Sequence, residues 1–210
     1  MPPSFASLGV SADLVAALTE QGITEPFAVQ ALTIPDALAG RDVCGKAKTG
    51  SGKTLAFGIP ILERVGPGGP SRPRGLALVP TRELAVQVAE VLEPLGKVRG
   101  RSVRAVYGGT DIDREIKKLA AGIDIIVATP GRLIDLLDRG ALFLDDLEVV
   151  VIDEADRMAD MGFLPQVEWV LRRAPVDRQT MLFSATLDGA VDHLVRHHLR
   201  DPVAHEVASD

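Results

Sequence analysis

Short apolar runs that stop abruptly in polar or glycine-containing turns recur along the chain, at 42–46, 75–79, 103–107, 124–128, 148–152 and 179–183. Before, between and after them lie stretches with helical spacing of apolar residues, at 12–18 (ending near Gly22), 28–38, 55–59, 111–121, 132–139, 164–173 and 189–199, and another helix starts after Thr81. Ser11 and Thr81 are placed to cap two of these helices. Because most of the runs are continuously apolar rather than alternating, the predicted strands are buried on both faces. The expected fold is therefore α/β: one parallel sheet with helices on both faces. Ligands of such sheets bind beyond the carboxyl ends of the strands, and the polar turns after the runs all fall on that edge.

One turn has a specific chemistry. Ala47, Lys48, Thr49, Gly50, Ser51, Gly52, Lys53 and Thr54 lie between the first predicted strand and a helix, in the manner of a phosphate-binding loop. Gly50 and Gly52 let the backbone bend so that successive N–H groups face one concavity, and the following helix adds its positive N-terminal end. Lys53 would reach the terminal phosphates, and the Thr54 hydroxyl would take a place on Mg²⁺. Ala47 stands where the general pattern has glycine, so it is expected at an ordinary negative φ.

With 210 residues, 46% hydrophobic and 25% charged, the chain suits one soluble domain with a core of its own. No apolar run approaches the length of a membrane span, and the N-terminus lacks signal-peptide character, so a cytoplasmic setting is expected without membrane or structural-metal partners. Cys44, the single cysteine, lies in the first predicted strand and is expected to be buried and inert. A net charge of −6 argues against coating nucleic acid by bulk electrostatics but leaves room for a local site. The segment 66–74 is dense in Gly and Pro and reads as a surface loop. Lys97, Arg99, Arg101 and Arg104 read as a solvated face. His193 and His197, one turn apart, lack the partners of a metal site and suit a helix C-terminus.

A bound triphosphate brings a metal ion that needs a carboxylate across the site. Asp153, at the end of an apolar run, is suited to this, and Glu154 to orienting the attacking water. Here the motifs resemble a family. Asp153-Glu154-Ala155-Asp156, the loop 47–54, the segment 80–85, Gly108-Gly109, Thr129-Pro130-Gly131-Arg132 and Ser184-Ala185-Thr186 are similar, in order, to those of the N-terminal RecA-like lobe of DEAD-box ATP-dependent RNA helicases. The resemblance covers essentially the whole chain as one domain, 1–210, with 1–40 as an adenine-reading segment.

The resemblance implies that Gln30 reads adenine and that Phe5 stacks on it, although Phe27 and Ile23 depart from the family pattern. It implies that Pro80, Thr81, Arg82, Gly109, Thr129, Gly131 and Arg132 follow an RNA backbone, without reading sequence. Asp156, Ser184 and Thr186 would couple nucleotide to RNA. The second lobe, with its arginine fingers, is missing, so weak ATP or ADP binding, very slow hydrolysis and no unwinding are expected of this lobe alone. A nucleotide-gated clamp without turnover, and a DNA-directed relative, stay open as alternatives. All of this requires the Lys53 loop and Asp153–Glu154 to converge from neighbouring strand tips.

Overall fold

The computed structural model describes residues 1–208; Ser209 and Asp210, the last two residues of the expected domain, lie outside them. Among the described residues seven parallel strands form one sheet: β1 (Val43–Lys46), β2 (Gly75–Leu78), β3 (Val103–Val106), β4 (Ile125–Ala128), β5 (Val149–Asp153), β6 (Gln179–Ser184) and β7 (Val203–Glu206). Their order is β3-β4-β2-β5-β6-β1-β7. Helices α1 (Ala12–Glu20), α2 (Ala28–Leu38), α3 (Lys53–Arg64) and α4 (Arg82–Val98) contribute to one core. The other core takes α5 (Ile112–Ala120), α6 (Pro130–Asp138), α7 (Ala155–Asp160), α8 (Leu164–Arg173) and α9 (Gly189–His198).

The two cores follow from the two-residue period of a strand. Val149 and Val151 of β5 join the first core, with Phe57 and Leu92; Val150 and Ile152 join the second, with Leu136 and Val167. Each central strand is buried on both sides, which is why its sequence is a continuous apolar run. Among the described residues no helix is long and apolar enough to cross a membrane.

Most expected elements appear within one or two residues of their predicted bounds. β7 was not foreseen, because its residues alternate between half-buried and exposed and carry no apolar run; it pairs with β1 alone. The six-residue α7 also went unseen, as it opens inside the acidic tetrapeptide. Ser11 occupies the N-cap of α1 but makes no capping bond, its hydroxyl donating to the Asp13 carboxylate instead. Thr81 does cap α4, accepting the Leu84 N–H at 3.3 Å.

The expectation of neighbouring strand tips is corrected by the sheet order. β6 stands between β1 and β5, so the phosphate-type loop and Asp153 face each other across the end of β6. Ser184 fills that gap. Its carbonyl accepts the Ala47 N–H at 2.9 Å and its hydroxyl the Asp156 N–H at 3.1 Å.

Of the basic stretch, Arg99 pairs with Asp13, and Arg101 donates to the Val65 carbonyl, so those charges serve packing between elements. The His193 and His197 rings lie 4.0 Å apart, and among the described residues no group of three His, Cys, Asp or Glu could hold a metal. Cys44 is buried, and desolvation pushes its thiol up to about 11. At pH 8 roughly a thousandth of such a thiol is ionised. A thiol reagent such as Ellman's is therefore expected to label the native chain only at the rate of unfolding, and fast stoichiometric labelling would contradict this burial.

Candidate functional site

The loop from Ala47 to Gly52 joins β1 to α3, and two glycines set its shape. Gly50 and Gly52 both stand at φ +84°, a region closed to most side chains, and Gly52 is the N-cap of α3. Ala47 is not among the residues at positive φ, as expected, and is buried. The loop wraps toward the N-terminus of α3, whose unpaired N–H groups and helix dipole favour an anion. Inside it the Ser51 hydroxyl is buried without a hydrogen-bond partner. An orphaned polar atom at a helix N-terminus suits a polar ligand.

Lys53, first residue of α3, turns its ammonium across the end of β6. It lies 3.0 Å from Asp153 Oδ1 and 3.3 Å from Glu154 Oε1, with all three side chains at most 8% exposed. Burial pushes the Asp153 carboxyl above the usual range; Lys53 opposes this shift and Glu154 adds to it. Although close to Lys53, Asp153 Oδ1 receives no well-aligned hydrogen bond. Glu154 is fixed more fully: Thr49 donates to Oε1 at 2.8 Å and Arg157 to Oε2 at 3.5 Å. Its backbone takes φ +55°, ψ +50°, a left-handed conformation that costs a non-glycine residue about 1–2 kcal/mol. The turn out of β5 thus carries strain where its carboxylate meets the loop.

The donors available to a cation are the Thr54 hydroxyl, half-buried in the first turn of α3, and the unsatisfied Asp153 oxygen. An all-oxygen set with so few protein ligands fits a hard divalent ion that keeps waters and takes phosphate oxygens to complete its shell.

On one side of the loop a cavity of about 510 Å³ is lined by Ile23, Glu25, Phe27, Gln30, Thr54 and Leu55, among others. The Gln30 amide is preset there: Oε1 accepts the Phe27 N–H at 2.9 Å and Nε2 donates to the Gly52 carbonyl at 2.8 Å. One N–H and one lone pair remain, a donor–acceptor pair on one edge. Phe5 does not join it. Its ring is 2% exposed in the apolar core with Leu14 and Leu18 and does not line the cavity, as burial of a purely apolar ring favours.

A second cavity, also about 510 Å³, gathers Pro80, Arg82, Thr129, Gly131 and Arg132, bringing the ends of β2 and β4 together. The Arg82 guanidinium sits 4.9 Å over the Tyr107 ring. Gly109, at φ +90°, packs beside Arg82, while its neighbour Gly108 lines the cavity. Two of the residues expected along an RNA backbone also have partners inside the chain. The Thr81 hydroxyl accepts the capping bond of α4 and keeps its own O–H. Arg132 is committed internally, donating to Glu115 at 3.0 Å and to the Thr110 carbonyl at 2.9 Å, so it braces the Gly109–Thr110 turn. Burial raises the Glu115 carboxyl, with Arg132 opposing. Tyr107, Asp135, Phe163 and Gln166 also line this cavity and were not anticipated. Tyr107, the single tyrosine beside Gly108-Gly109, was the one with a legible signal. Thr186 is exposed and makes no side-chain hydrogen bond among the described residues, so of the three coupling candidates only Ser184 and Asp156 meet.

A parallel sheet with a glycine-bearing phosphate loop opposite a strand-end acidic pair defines a RecA-like, P-loop NTPase-type domain. The comparisons narrow the class: the profile of the DEAD/DEAH box helicase family matches residues 27–194, and the chain belongs to that family. It is 45% identical over 205 residues to the DEAD-box ATP-dependent RNA helicase CshA of Streptococcus pneumoniae, covering 98% of this chain and 39% of that protein. It is 46% identical over 200 residues to the ATP-dependent RNA helicase DeaD of Klebsiella pneumoniae, covering 95% and 31%. A crystal structure of a DEAD box protein from Methanococcus jannaschii superposes with a TM-score of 0.90 at 34% identity, over 97% of this chain and 55% of that one. The chain thus spans about two fifths or less of these curated relatives.

The buried triad of charges makes a stability prediction. Lys53→Ala leaves two adjacent carboxylates buried without their cation, a change expected to cost about 3–5 kcal/mol in the nucleotide-free chain. The loss shrinks on acidification. A carboxyl whose folded pKa is raised penalises the fold only while ionised, so protonation through that pKa restores stability. Urea unfolding at pH 8 and pH 5.5 measures both effects, and an unchanged midpoint at pH 8 would contradict the geometry.

Proposed function

We propose that the chain is the nucleotide- and RNA-binding catalytic lobe of an ATP-dependent RNA helicase, coupling ATP hydrolysis to local separation of RNA duplexes. The observation that carries this reading is the meeting of Lys53 with Asp153 and Glu154 at a phosphate-type loop, between two cavities of similar size.

In this reading the loop N–H groups cradle the β- and γ-phosphates, and Lys53 leaves the carboxylates to neutralise them. Mg²⁺, held by Thr54 and by Asp153 through water, would balance the charge of the triphosphate. Glu154, fixed by Thr49 and Arg157, orients and deprotonates the attacking water. The free edge of Gln30 matches adenine's adjacent N6 donor and N7 acceptor. Arg82, with the turns at Gly109, Thr129 and Gly131, contacts the sugar-phosphate backbone, and Arg132 acts by holding that turn in place. Ser184 joins the loop to Asp156 and gives the nucleotide state a route to the acidic tetrapeptide. The setting we propose is cytoplasmic, in keeping with a single buried cysteine.

An arginine finger from outside this lobe is worth about 10³ to 10⁵ in rate, so the lobe by itself is expected to turn over slowly and not to unwind. The competing reading, a nucleotide-gated clamp of RNA or protein without turnover, would leave Glu154 no chemical task, yet its backbone is left-handed and its carboxylate is buried and held by three donors. Glu154→Gln in the full-length protein separates the two readings. RNA-stimulated phosphate release is expected to fall about 100-fold or more with ATP affinity retained, and an unchanged rate would overturn the catalytic role.

A further inference from the structure

The base-side cavity contains a residue that the reading above leaves without a task. Phe27 is 59% exposed, although an aromatic ring of its size gains from burial. Among the described residues lining this cavity it is the one aromatic, and Ile23, Leu55 and Val91 add aliphatic wall beside the polar Glu25, Gln30 and Thr54. The ring does not project loosely. It lies against Gly52 of the phosphate-type loop, so closely that a Cβ added at Gly52 would run into it. Phe27 also donates its N–H to Gln30 Oε1, while Gln30 Nε2 holds the Gly52 carbonyl.

Ring, amide and phosphate-type loop are therefore one connected unit. A purine presents two apolar faces and a polar edge, and this unit presents an aromatic face, aliphatic walls and a preset amide edge. Phe5, the ring expected to stack, is buried elsewhere.

We propose that Phe27 is the stacking platform for the nucleotide base, the residue that adds base affinity to a loop otherwise selective only for phosphates. This rests on the base occupying the Gln30 cavity, as the functional reading has it. Removing the ring then loses affinity for nucleoside diphosphates but not for pyrophosphate, which has no base to stack.

The test is calorimetric titration of the 210-residue chain and its Phe27→Ala, Phe27→Tyr and Gln30→Ala variants with ADP and with pyrophosphate, each in the presence of Mg²⁺. Phe27→Ala is expected to weaken ADP about tenfold, as loss of one base–aromatic stack does, with pyrophosphate unchanged and Phe27→Tyr restoring ADP. If Phe27→Ala leaves ADP untouched while Gln30→Ala weakens it, the stacking role is overturned and the base site stands. Equal weakening of ADP and pyrophosphate overturns it too, by assigning Phe27 to packing of the loop. If ADP binds no more tightly than pyrophosphate to the unmutated chain, the base site itself falls and the stacking role with it.

Discussion

One buried cation facing two buried carboxylates organises this molecule's functional edge. Lys53 is placed by the start of α3, Asp153 by the end of β5 and Glu154 by a left-handed turn, and their charges meet with almost no water around them. Removing Lys53 leaves both carboxylates without their cation in a poorly solvating site, where the penalty reaches several kcal/mol. The arrangement also stores a response. A ligand that brings negative charge to the loop competes for Lys53, and a cation beside Asp153 would replace what Lys53 gives up. The unsatisfied Asp153 oxygen and Ser51 hydroxyl are the polar capacity left over for that exchange.

The sheet order explains why the third piece of this edge, Ser184, sits where it does. β1 and β5 are not adjacent, so beside the direct Thr49–Glu154 contact the end of β6 links the backbones of the loop and the acidic tetrapeptide. A single serine takes one hydrogen bond from each side, through its carbonyl to Ala47 and through its hydroxyl to Asp156. Tilting either partner strains the other. The same economy recurs on the second cavity, where Arg132 serves the turn that presents Gly109 rather than standing free as a cation.

Much of this was legible in the residues. Continuous apolar runs gave a parallel sheet covered on both faces, and the bounds of α2 and α8 followed from spacing alone. The glycines of the loop and the acidic pair were readable because their chemistry demands those residue types. What escaped depends on tertiary placement. Nothing in the sequence separates β1 from β5, fixes the left-handed φ of Glu154, or shows that Arg132 faces Glu115 seventeen positions earlier. Phe5 and Phe27 illustrate the limit best: both are phenylalanines near the start of the chain, and only packing decides that the first is core and the second is exposed beside the loop.

The central claim is that the Lys53 loop, Thr54, Asp153 and Glu154 receive one magnesium-bound triphosphate. A crystal structure of the chain with Mg²⁺ and a non-hydrolysable ATP analogue tests it most directly. The account predicts the Lys53 ammonium moved from the two carboxylates onto the β- and γ-phosphate oxygens, the Thr54 hydroxyl on the metal and the base against Gln30. A nucleotide seated elsewhere, with the Lys53–Asp153 and Lys53–Glu154 contacts intact, would contradict it.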